Sequence, residues 1–116
     1  MLAEYGQMPL LAPHYPLAAA IRRKIGALIH RSTVQARDVF DLSVLVAKAG
    51  GNVEVLRPAR AQIPKAIERC MEVSFDDYKA QVVSYLKPDQ IEALGSHQAW
   101  DALQSQVVEF LEKALQ

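Results

Sequence analysis

The sequence predicts an all-α fold: one bundle of about five to six antiparallel helices joined by short links. Three observations carry this. Trp100, Leu103, Val107, Phe110 and Ala114 repeat in a 3-4-3-4 pattern, the apolar stripe of a packed helix. Helix-boundary signals recur along the chain at Pro16, Gly50-Gly51, Ser74-x-x-Asp77, Pro88 and Gly95. No alternating apolar pattern exceeds four or five residues, so no strand is expected.

The elements follow in order. Residues 1–15, with Pro9 and Pro13 among Leu and Tyr, read as an extended lead-in. Pro16 suits a first helical turn, and LAAAIRRKIGALIHR carries strong helix formers to about Arg31. Ser32 to Gln35 form a polar link. A second helix runs from about Ala36 to Ala49 and stops at the glycine pair Gly50-Gly51. Residues 52–61 contain an Arg57-Pro58 break and read as irregular. Ile63, Ile67, Cys70 and Met71 return to helical spacing, with Pro64 tolerated in the first turn. Ser74 and Asp77 form a capping box that starts a helix to about Leu86. Pro88 opens a short helix closed by Gly95, and Ser96 caps the last one, residues 97–115.

Composition narrows the function classes. A chain of 116 residues, 51% hydrophobic and 22% charged, is a single globular domain and not a disordered segment. Thirteen basic residues balance thirteen acidic ones, so no global field favours nucleic acid or an anionic membrane. The balance is uneven along the chain. Residues 1–60 hold eight Lys/Arg against four Asp/Glu, and residues 61–116 hold five against nine. The single cysteine, Cys70, excludes an internal disulfide and a multi-cysteine zinc site, and suggests a reducing compartment. No apolar run approaches a membrane span, and MLAEYGQ lacks the basic and apolar regions of a signal peptide. A cytoplasmic protein is the expectation.

Two helices carry charge where apolar residues belong. At about 100° per residue, Lys24 and Arg31 fall within roughly 40° of Leu17, in the stripe of Ile21, Ile25 and Leu28. Asp38 shares the stripe of Leu42, Leu45 and Ala49, with Asp41 about 60° to one side. Charges seldom occupy a core face unless they are paired or functional. The short link folds the two helices into a hairpin with their stripes facing. The axial offset of Lys24 from Asp38 is then roughly 6 Å, within reach of a lysine side chain. Arg31 lies closer in level. The cluster reads either as an ion-paired hairpin end or as a small polar site. In the second case Lys24 binds phosphate and a carboxylate handles a proton.

The same residues carry a family resemblance. AAIRRKIGALIHR followed by ARDVFDLSVL resembles the last two motifs of the AbiEii-type nucleotidyltransferases. These are toxins of bacterial abortive-infection and toxin–antitoxin systems. Lys24, Ala27 and Leu28 match the family's Lys-x-x-Ala-Leu helix; Arg37, Asp38 and Asp41 match its Arg-Asp-x-x-Asp helix. HQAWDALQSQVVEFLEKAL resembles the closing helix, so the likeness spans roughly residues 10–116. The resemblance implies phosphate contacts from Lys24 and a base or positioning role for Asp38 or Asp41, with Arg37 as support; Arg31, from the charged stripe, joins Lys24 and Arg37 as a candidate phosphate-binding residue. It implies a nucleoside triphosphate and Mg²⁺ in the reaction, with no cofactor held by this chain alone. Some members modify tRNA, the one route by which nucleic acid enters as a partner.

Two departures accompany the match. The family's Gly-Ser and Asp-x-Asp motifs, on its N-terminal α/β half, do not occur here; the one Gly-Ser is Gly95-Ser96, at a helix boundary. Arg23 also stands where the family often has an acidic residue. The chain therefore reads as the C-terminal helical half of such an enzyme, expected to be inactive alone: a split enzyme with a partner chain, a truncated relic, or a helical module reused for binding. An α/β catalytic partner chain or a cognate antitoxin is the expected partner, and an exposed docking face would suit a homodimer. A helical protein-interaction module without chemistry is the alternative.

Other signals are weaker. Arg23 and His30 have the R-x6-H spacing of HEPN-like ribonucleases. His14, His30 and His97 read as surface or cap histidines, none paired at i+4 with another ligand. Cys70 reads as a core residue. Phe75, Tyr78, Tyr85 and Trp100 follow helical spacing and read as core rather than a base-stacking platform.

Overall fold

The computed structural model describes residues 15–116. Six α-helices pack against one another, and no strand occurs among the described residues. They are α1 (Tyr15–His30), α2 (Ala36–Ala49), α3 (Ile63–Met71), α4 (Phe75–Gln81), α5 (Pro88–Leu94) and α6 (His97–Lys113). The lead-in expected over residues 1–15 lies outside the described residues except for Tyr15, which opens α1.

Helices α1 and α2 form an antiparallel hairpin. Arg31, just past the end of α1, meets Asp38 in the first turn of α2, while Lys24 reaches Asp41 one turn on. Ile21, Ile25 and Leu28 from α1 and Val39, Leu42 and Val46 from α2 bury the seam. The hairpin ends where Gly50 (φ 60°) and Gly51 (φ 84°) take left-handed backbone that β-carbons disfavour. The Gly50 N–H closes the helix on the Ala47 carbonyl.

The stretch expected to be irregular is instead a run of 3₁₀ turns over Val53–Gln62. The Asn52 side chain accepts from the Glu54 N–H at 3.1 Å and starts it. Pro58 removes one donor without stopping the turns, because Leu56 and Ala59 are anchored in the core. On α3, Ile63, Ala66 and Cys70 are buried, but Met71 is 62% exposed; it is the last residue of α3 and points off the stripe.

The Ser74–Asp77 capping box is present at the start of α4, with both reciprocal bonds made. The helix expected to reach Leu86 ends at Gln81. Val82 leaves helical backbone (φ −120°, ψ −58°), and a 3₁₀ turn follows over Val83–Tyr85. Ser96 caps α6 by accepting from the Ala99 N–H. The buried residues of α6 are Trp100, Leu103, Val107, Phe110 and Leu111, the first four on the expected stripe. Tyr78 stacks on Trp100 with ring centroids 4.7 Å apart, and its hydroxyl donates to the Leu94 carbonyl.

Three side chains lock the helix ends. Arg69 donates to the Leu28 and Arg31 carbonyls and so satisfies the open end of α1. Arg60 donates to the Ala114 and Leu115 carbonyls beyond α6. Gln104 donates to the Cys70 and Val73 carbonyls at the end of α3. Among the described residues no helix is long and apolar enough to cross a membrane.

Candidate functional site

The charged residues of the hairpin meet in one cluster. Lys24 Nζ lies 2.8 Å from Asp41 Oδ2 and 3.4 Å from Asp38 Oδ1. Arg31 Nε donates to Asp38 Oδ2 at 2.7 Å. The Asp38 side chain is only 2% exposed, and each of its oxygens faces a cation. Its place in the first turn of α2 adds the favourable end of the helix dipole. The outer part of the cluster is open: the Lys24 side chain is 28% exposed and Asp41 38%. The hydrogen bond to Asp41 and the charges of both carboxylates raise the Lys24 pKa above its ordinary 10.5, against the lowering effect of burial. Lys24 is therefore cationic throughout the neutral range.

Arg31 belongs to two sites at once. On its far side lies a cavity of about 350 Å³ whose walls include Arg31, Gln35, Arg37, Asp38, Gln81 and Tyr85. The Arg37 guanidinium lies 5.9 Å from the centre of the Tyr85 ring and finds no carboxylate partner among the described residues. The Gln81 oxygen accepts the Ala36 N–H at 2.6 Å, which ties α4 to the start of α2. Lys24, Arg31, Asp38 and Asp41 thus form one contact network, and Arg37 joins it through the shared cavity.

Tyr85 departs from expectation. Helical spacing from Tyr78 puts it in the core, but it is 76% exposed. The break at Val82 turns the chain through 3₁₀ geometry and rotates the ring outward. Tyr78 and Trp100 are buried as expected, and Phe75 is half-buried. Gln35, Gln81 and Tyr85 carry no motif in the sequence. The wall they form depends on α4 folding back against α2, which spacing along the chain does not encode.

The remaining candidates lie elsewhere. Arg23 and His30 are both exposed on α1, and neither lines the cavity. His97 does find a partner at i+4, contrary to expectation: Asp101 Oδ2 is 3.3 Å from its Nδ1. The pair is solvent-exposed, and His97 also meets Phe75 edge-on. His14 lies outside the described residues. Cys70 is buried, and burial pushes its thiol up to about 12, which suits a core residue. An apolar groove of about 430 Å³ runs between α2, α5 and α6, lined by Phe40, Val44, Leu94 and Leu103.

The cluster does not fit a Mg²⁺ centre. Both oxygens of Asp38 and one of Asp41 are engaged by cationic side chains, which oppose a divalent ion. No group of three His, Cys, Asp or Glu suited to a metal occurs among the described residues. Comparison with family models, with curated proteins and with solved structures returns no match to this chain.

Proposed function

We propose that the α1–α2 hairpin is the phosphate-contacting part of a nucleotidyl-transfer site of the AbiEii-like kind. The observation that carries this reading is the convergence of Lys24 on Asp38 and Asp41, at an edge where Lys24 and Asp41 stay open to solvent. A lysine held between two carboxylates is already positioned, and incoming phosphate oxygens compete with Asp41 for its N–H donors. Asp38, sealed by Arg31 and Lys24, holds the two cations in place. Asp41, the exposed carboxylate, is then the proton acceptor. In the reaction an acceptor hydroxyl attacks the α-phosphorus, its proton passes to Asp41, and pyrophosphate departs. In this family Mg²⁺ offsets the phosphate charge, and the carboxylates that would hold it lie outside this hairpin, on the expected α/β partner chain. No step through the metal falls to Lys24, Asp38 or Asp41, and the chain alone is expected to transfer no nucleotide.

The test is thermal denaturation of the pure chain with each nucleoside triphosphate and Mg²⁺, for the natural sequence and Lys24→Ala. Ligand at about a hundredfold excess over its Kd stabilises by roughly 2.7 kcal/mol, several degrees for a domain of this size. A shift that disappears in Lys24→Ala supports the reading. The burial of Asp38 favours one competitor, an interaction module whose ion cluster is purely structural. It predicts no shift with any nucleotide, together with a lower melting temperature for Lys24→Ala.

A further inference from the structure

A cavity of about 350 Å³ lies between the start of α2 and the turn after α4. We infer that it takes a single nucleotide unit, with the base on Tyr85 and one phosphate on Arg37. Three observations lead there. Tyr85 is 76% exposed at the rim; Arg37 lies over one face of its ring, and the exposure leaves the other face for stacking. Arg37 lies over that ring, its guanidinium 5.9 Å from the ring centre, on the same wall and with no carboxylate partner among the described residues. Gln81 has its oxygen fixed by the Ala36 N–H, so its amide N–H₂ is left to donate into the space.

Charge and size set the ligand class. Arg31 and Asp38 offset one another through their 2.7 Å bond, which leaves Arg37 as the one uncompensated charge on the wall. One positive charge matches a phosphodiester, comes close to a monophosphate at about −1.5 to −2, and is a poor match for a triphosphate. A volume of about 350 Å³ is at the small end of ligand pockets and suits a single nucleotide. The ligand is thus either a free nucleoside monophosphate or one residue of a single strand. This assignment rests on the proposed transfer site only in placing the unit beside Lys24 and Asp41; the binding itself does not depend on it.

The experiment is a calorimetric titration of the chain with AMP, adenosine, inorganic phosphate and a short single-stranded oligoadenylate. The proteins are the natural sequence, Tyr85→Ala, Tyr85→Phe and Arg37→Ala. Both positions are exposed, and unchanged melting temperatures would verify that the variants fold. AMP or the oligonucleotide should bind saturably, and more tightly than adenosine or phosphate. Tyr85→Ala should weaken binding roughly tenfold, and Tyr85→Phe should restore it, as stacking requires. Arg37→Ala should bring AMP down to the affinity of adenosine. Tighter oligonucleotide than AMP identifies a strand; equal affinities identify the free nucleotide. Binding indifferent to Tyr85 and Arg37, or no saturable binding of AMP or oligonucleotide, overturns the inference. Loss of AMP binding in Tyr85→Ala without any Lys24-dependent triphosphate shift would sink the transfer site and leave this inference standing. The reverse pattern would do the opposite.

Discussion

At the residue scale, the two acidic residues of one helix turn do different work because their burial differs. Asp38 is sealed and bonded to two cations, so Asp38→Asn leaves Lys24 and Arg31 poorly compensated. A loss of about 2 kcal/mol is expected in urea denaturation. Asp41→Asn, at a half-open ion pair, should cost less than about 1 kcal/mol while removing the proposed proton acceptor. Equal costs would contradict this division. Three groups also couple stability to alkaline pH. Burial pushes Cys70 from 9.0 to about 12 and raises Tyr78 above 10.0, and Asp41 leads the rise of Lys24 above 10.5. Each keeps its proton longer folded than unfolded. Their contribution is therefore present below the ordinary values and is lost as pH rises through the folded ones. Stability should begin to fall above about pH 9, and Cys70→Ala should flatten the first part of that fall, measured as urea midpoints from about pH 8 to 10. The folded chain should also resist alkylation at Cys70 until denatured.

At the element scale, helices bounded by local chemistry were readable from sequence, and those bounded by tertiary contact were not. Gly50-Gly51 stop α2 and Ser74-x-x-Asp77 starts α4 through their own backbone and side-chain bonds, so both boundaries fall where the residues place them. The end of α4 carries no such signal. It comes where Gln81 is drawn to the Ala36 N–H of α2, and this is why Tyr85 emerges outside the core. The 3₁₀ run over Val53–Gln62 was hidden for the same reason, since Leu56 and Ala59 gain order from the neighbours that bury them. The charged cluster was half readable. Helical spacing puts Lys24 and Asp38 on facing stripes, and their atoms stand 3.4 Å apart. Arg69 was not anticipated, yet it pins the carbonyls of Leu28 and Arg31 and so sets the level at which Arg31 meets Asp38. Arg69→Met should cost about 2–3 kcal/mol, read as a melting temperature lower by several degrees. An unchanged melt would mean that α1 ends without this clamp.

At the scale of the whole molecule, α6 is the common partner of helices α2 to α5. It packs against α2, α3, α4, α5 and the 3₁₀ segment, with Trp100 and Val107 among its buried residues. Removal of residues 97–116 should therefore abolish the cooperative thermal transition, followed by circular dichroism; a truncated chain that still melts cooperatively would refute the shared core. That core holds α2 and α4 together, and through them the hairpin cluster and the cavity beside it. Backbone amide chemical-shift mapping with a nucleoside triphosphate tests the proposed site most directly. Saturable changes concentrated in residues 24–31 and 36–42, and absent in Lys24→Ala, are expected. Changes centred on another surface, or none at millimolar ligand, would contradict a phosphate-contacting role for the hairpin.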